Sequence, residues 1–402
     1  MAFIDRAKSL LISTVIVVCL GWAGMRLYAY FTHHEPPTFA VTGVEEQGTY
    51  GSAITATVSA QNAYKVGVVT VELDGKQVHE SWVKDTTFTL PVTLDTSTVP
   101  DGEHVLTITA RDTSYHANTS TQTFQVTIDN TPLTATCLQR EYTVYQGKTL
   151  HLQIGTNKKF VHGTVTWDGR PYPLTPITQG ASTFECFLPI DCEAQPSDLM
   201  LSTDVTDLAG HKAKVACHVQ IKAFDFPKQR GFTVSEEKIS QEREAGLSMQ
   251  ALGEAIAKAL PQSPQQKLWK GAFLLPIDAK RFPTPFGEVR TSPINGRYLH
   301  KGVDLANYPR SIVWAAQNGI VIIKDRYFTT GNTVVVDHGL GVHTLYAHLD
   351  SFADVEVGQS IKKGSPLGKV GMTGYANGYH LHWELRINNV GVDPMEWTAH
   401  IF

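Results

Sequence analysis

The sequence predicts a mainly β chain, with an N-terminal transmembrane helix, two β-sandwich-like modules, a short helical linker and a C-terminal antiparallel β domain. Three observations carry this reading. An uncharged apolar run lies near the N-terminus, and period-two alternation broken by Asp-Gly turns fills the middle. The end is dense in Gly and short apolar strands, without long helical periodicity. At 402 residues the chain is too long for one ordinary core and implies two to four domains. Its hydrophobic content of 42% and charged content of 18% are ordinary for folded domains. The net charge of -4 carries no basic excess, so nucleic acid is not an expected partner.

Residues 10–25 (LLISTVIVVCLGWAGM) carry no charge and follow Arg6 and Lys8. The run is shorter than the roughly 20 residues that span a bilayer. Arg26 can snorkel, however, and Leu27-Tyr28-Ala29-Tyr30-Phe31 extends the stretch with interfacial aromatics. Trp22, Met25, Arg26 and Leu27 crowd the region where a small-x-small cleavage site would lie. Residues 1–31 are therefore expected to be an uncleaved signal-anchor, with a cleaved signal peptide as the alternative. Either way the positive charge stays inside and the chain beyond residue 31 is exported.

Residues 32–38 form a short stalk. Residues 39–132 alternate apolar and polar positions, as in Val66 to Leu73 before Asp74-Gly75, and resemble immunoglobulin-like modules of bacterial surface proteins. Residues 133–222 read as a second β module, with Leu150, Leu152 and Ile154 alternating and a turn at Asp168-Gly169. Cys137, Cys186, Cys192 and Cys217 all fall here; in an oxidising compartment they allow two disulfides in three connectivities, with free buried thiols as the alternative. They lack the Cys-x-x-Cys pairing of a structural zinc site. Residues 223–267 change character: Ser248 can cap a helix through Met249, Leu252, Ile256 and Leu260, whose apolar stripe stops at Pro261 and reads as core or docking surface.

The last domain, 268–402, holds three segments with metal-binding and proton-transfer side chains. In His300-Lys301-Gly302-Val303-Asp304, positions i and i+4 of an extended chain share a face, so imidazole and carboxylate can converge. Tyr346-Ala347-His348 puts a phenol and an imidazole on one strand face. His380-Leu381-His382 puts two imidazoles on one face, which would be costly to bury without a partner. Each segment alone is weak; together, in one β domain of an exported protein, they are specific.

These segments resemble the lysostaphin/LytM-type zinc metallopeptidases over about 273–397. The likeness includes Pro285-Phe286-Gly287, Gly331-Asn332, Asp337-His338-Gly339, Gly371-Met372-Thr373-Gly374 and the run through Trp383-Glu384-Leu385. It implies that His300, Asp304 and His382 bind one Zn2+, with a water in the fourth position. His348 and His380 would then flank that position as proton acceptor and oxyanion donor, in an order the sequence leaves open. Tyr346 is a candidate for an oxyanion or substrate contact. His338 reads as structural, His343 as solvent or core, and His33, His34 and His400 as surface residues. Two departures fall beside the groove: Asn307-Tyr308-Pro309-Arg310 stands where relatives carry Gly and a small residue, and Tyr379 stands where Pro is frequent.

The function this implies is a zinc endopeptidase cutting peptidoglycan stem peptides or cross-bridges, held in the bacterial cell envelope by the cytoplasmic membrane. The alternatives are a non-enzymatic regulator or scaffold of wall hydrolases, which the intact histidines and Asp304 disfavour, and an exported protein-cleaving metallopeptidase.

Overall fold

The computed structural model describes residues 2–159, 161–229, 250–292 and 296–402, and the chain is mainly β. The N-terminal helix runs Ala2–Thr32, and its Leu10–Thr32 portion of 23 residues has a mean hydropathy of 2.0 and contains no buried residue. At about 1.5 Å per residue that portion is about 34 Å long, enough to cross the hydrocarbon of a bilayer. The chain clusters into two compact units: 1–133 with 206–212, and 134–205 with 213–402.

The first unit holds a six-stranded sheet in the order Thr38–Thr42, Ala53–Leu73, Gly102–Asp112, Thr119–Ile128, Gly48–Tyr50, with Lys76–Asp95 also paired to Ala53–Leu73. The 21-residue strand Ala53–Leu73 shifts register between Gln61 and Val66, and both its halves contribute to one core. Ile54, Val58, Val69 and Val71 lie there with Leu106 and Ile108, as period-two alternation requires. The Asp74-Gly75 turn has positive φ at both residues (52° and 75°), the backbone that a tight hairpin needs and that Asp and Gly tolerate.

In the second unit, residues from Ala135 to Lys222 form two sheets. One is ordered Arg170–Pro173, His162–Trp167, Ser197–Thr206, Lys212–Lys222, Tyr142–Tyr145; the other Thr175–Pro176, Thr183–Pro189, Thr149–Thr156, Ala135–Cys137. A disulfide joins Cys137 on the second sheet to Cys217 on the first. The two-disulfide expectation needs correction, because Cys186 and Cys192 are free and buried. Cys186 sits in the Thr183–Pro189 strand opposite Leu152, and Cys192 packs with Phe226, Phe286 and Leu299.

Residues 281–392 build a ten-stranded sheet ordered Arg281–Thr284, Val303–Ala306, Leu381–Ile387, Val342–Phe352, Gly331–Asp337, Gly319–Tyr327, Ser360–Ile361, with Ile312–Trp314, Pro366–Val370 and Val390–Val392 attached. Ile323, Val335, Leu345 and Ala347 pack against Leu252 and Ile256 of a helix over 250–259. The apolar stripe is thus a docking face on the sheet; its predicted cap Ser248 and Met249 lie outside the described residues.

The sequence divides 133–222 from 268–402, yet the structure packs them as one body. Phe187 of the sandwich stands 5.5 Å from Trp269 and 5.9 Å from Trp397, and the Trp397 indole donates to Thr149 Oγ1 at 2.9 Å. Lys148 pairs with Asp393 at 2.6 Å, and Lys301 with Asp191 at 3.1 Å. Gly147 has φ 76°, and a Cβ there would come within 2.6 Å of the Phe286 ring, so only glycine fits this seam.

Candidate metal centre

The sheet register brings the site together. Asp304 pairs with His382, and His382 with Ala347 on its other side, so His382 and Asp304 share one face across neighbouring strands. His300 directly follows the strand Gly296–Leu299; its N–H donates to Glu288 O at 3.0 Å and its carbonyl accepts from Gly287 N at 2.8 Å. The chain then turns through Lys301-Gly302 before entering Val303–Ala306. Gly302 is needed in this turn, because a Cβ would lie 2.7 Å from Trp383 O and 2.8 Å from His382 Cε1.

Three ligand atoms converge. His300 Nε2 lies 3.2 Å from Asp304 Oδ1 and 3.0 Å from His382 Nδ1, while His382 Nδ1 lies 2.9 Å from Asp304 Oδ1. Among the described residues this is the one group of three or more His, Cys, Asp or Glu side chains placed to hold a metal ion. Tetrahedral zinc bonds of about 2.0–2.1 Å set ligand atoms about 3.3 Å apart, so the spacing fits after shifts of a few tenths of an ångström. The outward hydrogens also fit: His300 Nδ1 donates to Pro285 O at 3.2 Å and His382 Nε2 to Glu384 Oε1 at 2.8 Å. Each ring therefore turns its other nitrogen inward. Arg290 stands 3.8 Å from Asp304 Oδ2 and donates to Thr284 Oγ1 at 3.0 Å, which holds a cation behind the carboxylate.

Burial opposes charge on Asp304, but its contacts with the His300 and His382 imidazoles outweigh it and hold the carboxyl well below the usual range. Burial likewise works against charge on His382, yet bonds to Asp304 and Glu384 prevail and raise it to about 9. His300 is lowered, chiefly by burial. Without metal, His382 is thus the member of the group that carries a proton at neutral pH.

His348 and His380 flank this group. Their rings are 4.8 Å apart, and His348 is 5.9 Å from His382. His348 Nδ1 donates to Thr373 O at 2.8 Å and His380 Nδ1 to Gly378 O at 2.8 Å. A carbonyl only accepts, so each neutral ring keeps its hydrogen on Nδ1 and a lone pair on Nε2. Burial, then the charges of His382 and His380, push His348 down to about 3, so it is neutral at working pH.

Tyr346 is corrected. His348 has a left-handed backbone (φ 61°), and the pairing with Gly331–Asp337 shifts register between Asn332 and Val334. This bulge breaks the alternation that would place residues 346 and 348 together. Tyr346 is fully buried; its hydroxyl accepts from Ala316 N at 2.8 Å and bonds Thr344 Oγ1 at 2.9 Å, so it packs in the core. His338 is structural, bonded to Asn318 O and Thr344 Oγ1, and His343 is a core residue. Sequence reasoning assigned no role to Arg290 or Glu384; the i+2 spacing of Glu384 from His382 was the available signal.

Residues 298–394 match the model of peptidase family M23, a span that contains all five residues of the site. Over 128 residues the chain is 40% identical to the DD-carboxypeptidase/endopeptidase Mpg of Neisseria meningitidis serogroup B, covering 31% of this chain and 29% of that protein. Over 154 residues it is 29% identical to the peptidoglycan DD-endopeptidase ShyB of Vibrio cholerae, covering 38% of this chain and 34% of that protein. Among solved structures, the catalytic domain of lysostaphin from Staphylococcus simulans is 25% identical, with a TM-score of 0.27, over 30% of this chain and 92% of that one. The chain spans about a third of the length of the curated relatives it matches. The C-terminal part of this chain carries a peptidase family M23 domain.

Proposed function

We propose that this protein is a zinc-dependent endopeptidase that hydrolyses peptide bonds in peptidoglycan. The observation that carries the reading is the convergence of His300 Nε2, Asp304 Oδ1 and His382 Nδ1 with both rings' outward hydrogens already engaged. The M23 match and the two wall-peptidase relatives support the substrate class. These three side chains would hold one Zn2+, whose chemistry when bound would be to acidify a water and to polarise the scissile carbonyl. His348, kept neutral by burial and with its hydrogen on Nδ1, would accept that water's proton on Nε2. The proton taken by His348 would then pass to the leaving amine, with His380, its ring 4.8 Å from that of His348, lining the same site beside the scissile bond. The helix Leu10–Thr32 anchors the chain in the cytoplasmic membrane, and the remaining residues lie on its outer side, where the β modules set the reach of the peptidase domain.

The test uses the detergent-solubilised full chain. It is expected to bind about one zinc and to release peptide fragments from isolated sacculi. Asp304→Ala should lose both, and mass spectrometry of the fragments names the bond. Zinc binding without release of fragments from sacculi would refute the substrate class.

A further inference from the structure

Glu384 lies at the centre of a run of buried polar contacts that the roles above leave unused. It follows His382 by two residues on the same strand, so both side chains project from the metal-bearing face. Its Oε1 accepts from His382 Nε2 at 2.8 Å, and its Oε2 accepts from Arg386 Nε at 2.5 Å. Arg386 Nη1 in turn donates to Asn389 Oδ1 at 2.8 Å, and Asn389 Nδ2 reaches Gly253 O, in the 250–259 helix, at 3.4 Å. Glu384 is 1% exposed, and the turn at Gly302 passes directly over it: a Cβ there would lie 2.8 Å from Glu384 Cγ. Asn389 and the helix place one end of this run outside the strands that carry the metal-binding side chains.

The chemistry is set by what a carboxylate can do. With Arg386 holding its other oxygen, Glu384 is acceptor-only, so His382 must keep a hydrogen on Nε2. The opposite tautomer would put a hydrogen on Nδ1, where a metal needs a lone pair, and would leave Glu384 facing a second lone pair in a dry site. The carboxylate also fixes the ring's rotation, because Nδ1 meets Asp304 at 2.9 Å only while Nε2 stays on Glu384.

We infer that Glu384, clamped by Arg386, is a positioning residue of the metal centre: it selects the His382 tautomer that presents Nδ1 to the ion and ties that ring to the docked helix. The inference rests on the metal reading of His300, Asp304 and His382. Zinc affinity of the full chain, measured by competition with a chromophoric chelator, tests it. Glu384→Gln should weaken zinc about 10–100-fold, the usual cost of losing a partner that orients a ligand. In the zinc-loaded wild type, the His382 Nε2–H should give a slowly exchanging imidazole NMR signal that shifts or disappears in the variant. Glu384→Gln strands the Arg386 guanidinium in a buried site. The double variant Glu384→Leu/Arg386→Met, which removes the acceptor and the stranded cation together, is therefore measured beside it and should show the same loss. If both variants bind zinc within about twofold of wild type while Asp304→Ala still abolishes binding, the positioning role is overturned and the metal centre stands. If Asp304→Ala keeps its zinc, the metal centre itself is wrong, and this role falls with it.

Discussion

Residues 268–402 are expected not to fold when separated from 134–222, although they contain every residue of the site. In the intact chain Trp269, Trp397, Phe286 and Leu299 are each at most 6% exposed. Phe187 covers the two tryptophans, and Phe226 and Cys192 cover Phe286 and Leu299. Aromatic side chains bury about 150–250 Å² each, so uncovering half of the three rings, together with half of Leu299, exposes about 400 Å² of apolar surface. At about 25 cal/mol per Å² this is about 10 kcal/mol, as large as the whole stability of an ordinary domain. Loss of the 250–259 helix from the same fragment would also bare Val335 and Leu345. Urea titrations of the full chain, 134–402 and 268–402, followed by tryptophan fluorescence and near-UV circular dichroism, measure the effect. The two longer chains should unfold cooperatively; the shortest should show no transition and no zinc uptake. A 268–402 fragment within about 2 kcal/mol of 134–402 would refute the reasoning.

Three further outcomes follow from the site. His348→Gln should leave zinc affinity within a few fold but lower kcat on sacculi about 10²–10⁴-fold; a large loss of zinc would instead make His348 a ligand. Gly302→Ala forces a methyl against Trp383 O, Glu384 and His382, and should cost about 1–3 kcal/mol by thermal unfolding, with weaker zinc binding. In metal-free protein the raised His382 adds about 3 kcal/mol of stability that is complete below pH 6.5 and lost as pH climbs through about 9. Variant His382→Gln should lack that alkaline decline in urea titrations.

Local patterns in the sequence located the metal group well. His300, Asp304 and the His380-x-His382 pair are short-range signatures, and so are the Asp-Gly turns and the Leu252/Ile256 stripe. What alternation missed is the bulge at His348, because one left-handed residue reverses the parity of everything beyond it along the strand. Cysteine spacing permits several pairings; only the sandwich's folding shows that Cys137 meets Cys217 while Cys192 lies among Phe226, Phe286 and Leu299. The seam between Phe187 and Trp397 joins residues 210 positions apart, a distance at which periodicity carries no information.

The left-handed backbone at His348 sets strain against packing at a single position. A non-glycine residue held there costs of order 1–3 kcal/mol, and the neighbouring strands must enforce it. Glycine would relax that strain, but His348→Gly would also empty a buried site and leave Thr373 O without its 2.8 Å bond, so relief of the backbone brings no net gain in stability. One position thus answers to two opposed demands, a backbone that suits glycine and a packed imidazole that glycine cannot supply.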